Sequence, residues 1–141
     1  LTSEPAAVRQ AVPRRLALPE LVAWAEAGEE EPTCYLASAV LRLAGRLDLA
    51  ERKLARTPSP EWSALHGNEH ASLLWHQGKG EEALAQWQTL PESPPVLFNR
   101  GMASLFLGHR DQAVPALEAA IAALPETSAW YHLAQLYRTM A

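Results

Sequence analysis

The sequence predicts an all-α fold built from stacked antiparallel helical hairpins, and a recurrent spacing of small residues carries that prediction. Three glycines, Gly45, Gly78 and Gly108, each follow a helix-like apolar stretch and precede another. Five residues after each glycine stands an alanine (Ala50, Ala83, Ala113), and four further on a large apolar residue (Leu54, Trp87, Leu117). Seven residues before each glycine is a small residue: Ser38, Ala71 or Gly101. The units are offset by 33 and then 30 residues. Composition agrees. Alanine and leucine dominate, both favouring helix, and runs of Val, Ile and Thr that would suit a sheet are lacking.

The spacing has a physical reason. Two helices joined by a tight turn must approach closely. Small residues at the crossing permit this, and a large residue one turn along fills the adjacent hole. The glycine ends the first helix because the left-handed backbone conformation costs it least. One hairpin cannot bury its apolar face alone, whereas stacked hairpins can. The competing expectation is an ordinary helical bundle in which the glycines coincide.

The pattern resembles the tetratricopeptide repeat, a helix-turn-helix of about 34 residues with the motif W-x2-L-G-x2-Y, then A-x3-F, then P. The third unit reads Leu97, Arg100, Gly101, Ser104, Ala113, Leu117, Ala120 and Pro125, with Arg100 and Ser104 departing from the usual choices. A partial fourth unit opens with Trp130, Leu133, Ala134 and Tyr137. The second keeps Ala71, Leu74, Gly78, Ala83 and Trp87, but Gly67 stands where an aromatic opens the motif. Pro91, Pro94 and Pro95 follow it, so its second helix must be short. The first keeps Ser38, Leu41, Gly45, Ala50 and Leu54, with Pro58 and Pro60 as its stop. The resemblance implies a short right-handed α-solenoid. Its units span about 33–60, 64–93, 94–126 and, in part, 127–141, behind an N-terminal helical cap of residues 1–32.

Within that cap, Ser3 and Pro5 suit the start of a short helix ended by Pro13. A second helix is expected from Pro19 to Ala27, with Leu21, Val22, Trp24 and Ala25 in one buried stripe. The cap is expected to pack on the first unit, unless it is the tail of preceding repeats. The next helix opens near Pro32 and Thr33. Pro115 conflicts with a helix interior. With Asp111 as N-cap it falls near the first turn, predicting a late start or a modest kink.

Twelve basic against sixteen acidic residues give a net charge of −4. No basic stripe interleaved with aromatics appears, which argues against nucleic-acid binding, and Arg14-Arg15 reads as a solvated linker charge. No apolar run approaches the ~18 residues of a membrane span. The single cysteine, Cys34, excludes an internal disulfide and fits a reducing compartment such as the cytoplasm. Its slot in an apolar face predicts a buried thiol. The chain opens with Leu1, which fits a processed protein or a fragment of a longer one.

No catalytic constellation is evident. The sequence lacks a G-x-S-x-G elbow, and Gly78-Lys79-Gly80 lacks the partners of a phosphate loop, so it reads as a turn. His66 and His70, four apart, have a legitimate metal-ligand spacing but no second cluster to complete it. No cofactor and no metal are expected, and the chain reads as non-enzymatic. Trp87 and Trp130 sit at repeat core positions and are expected to be buried.

In tetratricopeptide proteins the first helix of each unit lines a concave groove. The resemblance therefore implies partner-binding positions at Tyr35, Ala39 and Arg42; Asn68, Ser72 and Trp75; Phe98, Asn99, Met102 and Leu105; and Tyr131, Gln135 and Arg138. The family's carboxylate-clamping groove carries Lys, Arg and Asn where this chain has Tyr35, Ala39, Phe98 and Met102, with Asn68 the only partial match, so a chaperone-tail receptor is not indicated. An apolar groove for a partner peptide or helix is the leading expectation. Two others stand beside it. One is a homo-oligomerising module, since the last helix carries Trp130, Leu133, Leu136 and Tyr137 with no following helix. The other is an accessory recognition domain of a larger enzyme or secretion-system protein.

Overall fold

The computed structural model describes residues 18–141, and all regular structure there is helical. The expected Ser3-capped helix and Arg14-Arg15 lie outside the described residues. The helices are α1 (Leu18–Ala27), α2 (Thr33–Leu43), α3 (Leu47–Leu54), α4 (Ser63–His76), α5 (Gly80–Thr89), α6 (Pro94–Phe106), α7 (Arg110–Ala123) and α8 (Ala129–Met140), with a 3-10 turn at Pro60–Trp62 before α4. Successive helices pack in pairs: α2 with α3, α4 with α5, and α6 with α7. Helix α1 lies against α2, and α8 lies against both α6 and α7.

The three hairpin turns repeat one geometry. Gly45, Gly78 and Gly108 adopt φ of 79°, 80° and 84°. Each donates its N–H to the carbonyl three residues back, at 3.1 Å in all three turns. The following residue bonds five back: Arg46 to Leu41 at 2.8 Å, Lys79 to Leu74 at 2.9 Å and His109 to Ser104 at 2.8 Å. This is the Schellman arrangement, which satisfies the carbonyls a helix leaves open at its end.

Ala50, Ala83 and Ala113 are all fully buried, as are Ala71 and, almost wholly, Ser38. The Ser38 hydroxyl donates to the Ala50 carbonyl at 3.1 Å, linking α2 to α3 at their crossing. A Cβ on Gly101 would stand 2.6 Å from Leu117 Cδ2, so only glycine admits Leu117 there. Gly67 is likewise filled by Leu90, whose Cδ2 would meet an added Cβ at 2.6 Å. That contact explains the glycine in place of an opening aromatic. Leu54, Trp87 and Leu117 fill the interior beside the alanines.

Basic side chains stabilise two helix ends. Arg100 donates to the carbonyls of Trp87 (2.9 Å), Gln88 (3.3 Å) and Leu90 (3.0 Å) at the end of α5. The departure from an apolar residue at this position therefore has a partner. At the end of α1, Lys53 donates to the carbonyls of Glu26 and Gly28, and Arg56 to that of Glu29. Cations at these carbonyls favour the helix ends electrostatically.

Four expectations need correction. Trp24 is 44% exposed, because α1 buries only Ala25 fully while Leu21 and Val22 are half-buried. Trp130 is 58% exposed: it stands edge-on to Phe98 at 5.2 Å and turns its remaining surface to solvent. Helix α7 begins at Arg110 with His109 as N-cap, so Pro115 lies inside it rather than in its first turn. The bond that Pro115 cannot make would have gone to the carbonyl of Asp111, an exposed residue whose carbonyl water can serve. Tyr35 is fully buried rather than displayed on a binding face.

The phenol of Tyr35 explains that burial. It donates to the Glu31 carboxylate and packs edge-on against His66 at 5.6 Å. Glu31 also accepts from the Ser59 hydroxyl at 2.6 Å and the Ser59 backbone N–H at 3.2 Å. One carboxylate thus ties the segment after α3 to the connection before α2. The hydrogen bonds from Ser59 and then Tyr35 hold the Glu31 carboxyl below its ordinary range. Burial, and then the bond to Glu31, push the Tyr35 phenol up to about 12 from 10.0.

A phenol raised in the folded state stabilises fully below its unfolded value, and that contribution is lost as pH climbs through the folded value. Stability should therefore fall between pH 10.0 and about 12. Urea melts across that window should show a shallower fall for Tyr35→Phe than for the parent. An unchanged slope would remove Tyr35 as its source. The lowered Glu31 acts in the opposite window: its contribution is present above the unfolded 4.5 and lost as pH falls through its folded value.

Candidate functional site: a cavity between the first helices

Helices α2 and α4 pack closely, and so do α6 and α8, but α4 and α6 do not. A cavity of about 310 Å³ opens where they are held apart. One side is polar, formed by Arg42 of α2 and by Asn68, Glu69 and Ser72 of α4. The other is apolar, formed by Pro94, Pro95 and Phe98 of α6, Leu124 after α7 and Trp130 of α8, with Asn99 of α6 between the two.

Local sequence places each wall. Ser93 caps α6 by accepting from the Val96 N–H at 3.4 Å, and Pro94 and Pro95 occupy the first turn, where a missing N–H costs least. This sets Phe98 one turn in, buried and flanked by Trp130 and, at 5.9 Å, by Tyr137. Ser128 caps α8 by accepting from the Trp130 N–H at 3.2 Å, which fixes where the exposed indole begins.

The polar wall is internally bonded. Arg42 pairs with Glu69 at 3.4 Å, and both side chains are largely buried. Burial raises the Glu69 carboxyl, and Arg42 opposes that shift. The Nε of Arg42 is buried without a hydrogen-bond partner among the described residues. Ser72 donates back to the Asn68 carbonyl at 2.9 Å.

Two asparagines cross the gap. Asn68 Oδ1 accepts from the indole N–H of Trp87 at 2.9 Å and from Asn99 Nδ2 at 3.0 Å. Because an indole N–H only donates, it fixes the orientation of the Asn68 amide, and Asn68 in turn fixes that of Asn99.

Of the positions expected to face a partner, Asn68, Ser72, Phe98 and Asn99 meet at this cavity, together with Arg42. Trp75 does not line it: it packs over Gly80 and tilts against Trp87 at 6.3 Å. Met102 is half-buried and packs against two parts of the apolar core. Tyr131 accepts from Gln135 Nε2 at 3.1 Å along α8, and neither lines the cavity. Sequence reasoning missed Glu69, Pro94, Pro95 and Leu124. In sequence the prolines mark helix stops, but a proline pair at a helix start is also a rigid apolar surface.

Other clusters have structural partners. His66 Nε2 meets the Leu54 carbonyl at 2.9 Å, and His70 Nδ1 meets Gln86 Oε1 at 2.5 Å, with the two rings stacked 6.4 Å apart. Among the described residues no three His, Cys, Asp or Glu side chains converge, and no helix is long and apolar enough to cross a membrane. A larger cavity, of about 520 Å³, lies beside α1–α3 with the buried Cys34 on its wall. Two of the cations lining it, Lys53 and Arg56, already serve carbonyls at and just beyond the end of α1.

No protein-family model, no curated protein and no solved structure matches this chain.

Proposed function

We propose that the chain is a non-enzymatic interaction module of the tetratricopeptide type. In this reading the hairpins form a short solenoid, and the cavity between α4 and α6 holds a segment of another protein. The observation that carries it is Trp130. Its indole is 58% exposed at the rim of a cavity whose floor is the buried Phe98. A large aromatic left at the mouth of an apolar recess, opposite a polar wall, is the composition of a binding anchor.

Affinity capture from native lysate should retain a partner on the parent protein and lose it on Trp130→Ala. An anchoring tryptophan contributes about 2 kcal/mol or more, so roughly a thirtyfold loss of affinity is expected. Thermal stability should change little, because the side chain is mostly exposed. Equal capture by both proteins, or no partner with either, would count against this reading.

A second reading has its own observation. Phe106, Leu136 and Met140 are 55%, 55% and 50% exposed near the α6–α8 end. Exposed apolar groups gathered at one end favour self-association. Light scattering over a dilution series separates the two, a monomer at every concentration excluding self-association.

A further inference from the structure

We infer that the cavity reads the backbone amide of an extended, uncharged partner segment, through a donor on Asn68 and an acceptor on Asn99 that the buried Trp87 indole orients. The inference rests on the proposed binding role of this cavity and specifies what it binds.

The unfilled hydrogen-bond capacity leads to it. Asn68 Oδ1 is used twice, by Trp87 and by Asn99. Its Nδ2 group has no partner among the described residues, yet it is not sealed from solvent. Asn99 spends one Nδ2 hydrogen on Asn68, and its Oδ1 likewise has no partner among the described residues. The cavity therefore presents one oriented donor from α4 and one oriented acceptor from α6. A peptide backbone offers the complementary pair, a carbonyl and an N–H along one edge.

Charge points the same way. The two ionic groups of the wall, Arg42 and Glu69, are already paired with each other. A neutral amide leaves that pair intact. The apolar wall of Phe98, Leu124 and Trp130 then takes the adjoining side chain. Trp87 is a positioning residue here. It is 1% exposed, and as a pure donor it fixes which end of the Asn68 carboxamide stays without a partner, and through Asn68 that of Asn99.

The test titrates N-acetyl-leucine N′-methylamide into the isotope-labelled full chain and follows side-chain amide and indole resonances by NMR. Shifts are expected at Asn68, Asn99 and Trp130. The analogue methylated on both amide nitrogens has no N–H to donate and should bind at least fivefold more weakly. Asn68→Asp keeps an acceptor for Trp87 and removes the donor, so it should weaken the parent amide at least fivefold while melting normally. Equal binding of the methylated analogue, undiminished binding by Asn68→Asp, or no shift at either asparagine overturns the inference. Shifts at Trp130 that are indifferent to the asparagines overturn it while leaving the binding role standing. Partner capture that survives loss of Trp130, alongside intact amide binding, overturns the role proposed for the module and not the amide recognition.

Discussion

Replacing Trp87 with alanine is expected to cost about 3–5 kcal/mol, the range for emptying a buried tryptophan site. Domains of this size are stable by only about 5–15 kcal/mol, so much of the margin would go. Trp87 is 1% exposed, and it packs with Ala71, Ala83, Leu84 and Ala103. It thus joins the α4–α5 hairpin to α6. Trp87→Phe should lose far less, about 1 kcal/mol, since it keeps most of the packing and gives up mainly the indole hydrogen bond to Asn68. Urea melts of the two variants decide the matter. A Trp87→Ala variant within 1 kcal/mol of the parent would mean that the second and third hairpins are not joined through this side chain.

Much of the fold was legible because its decisive residues have few conformational alternatives. A glycine followed by an alanine at a fixed distance, three times over, states both a left-handed turn and a close crossing. Gly45, Gly78 and Gly108 adopt the same positive φ to within a few degrees. Cys34, placed in an apolar slot, is buried, and α5 is short as the following prolines require.

The site was legible only in part. Helical period identifies the face on which a residue stands. It does not say how near the neighbouring element approaches. Tyr35 and Phe98 both stand on faces expected to line a groove. Tyr35 is covered by the segment that Glu31 draws over it, and Phe98 is floored beneath Trp130. The motif position of Trp130 predicts a core residue, yet the residue is 58% exposed. Glu69 was invisible as a wall residue because its placement depends on Arg42, 27 residues earlier in the chain. Long-range pairing of that kind leaves no local pattern.

The register of the hairpins is tested most directly at the three equivalent alanines. Ala50, Ala83 and Ala113 each have no exposed surface and stand five residues after a left-handed glycine. A leucine at any of them must force the paired helices apart, and overpacking of this kind typically costs about 1–3 kcal/mol. The matched control is Ala85→Leu, on the exposed side of α5, where little change is expected. Urea denaturation of the four single variants, read by circular dichroism, is the measurement. The hairpin arrangement predicts a loss of at least 1 kcal/mol at all three buried alanines and near-parent stability at the control. Tolerance of leucine at position 50, 83 or 113, or a control as damaged as the rest, would contradict it.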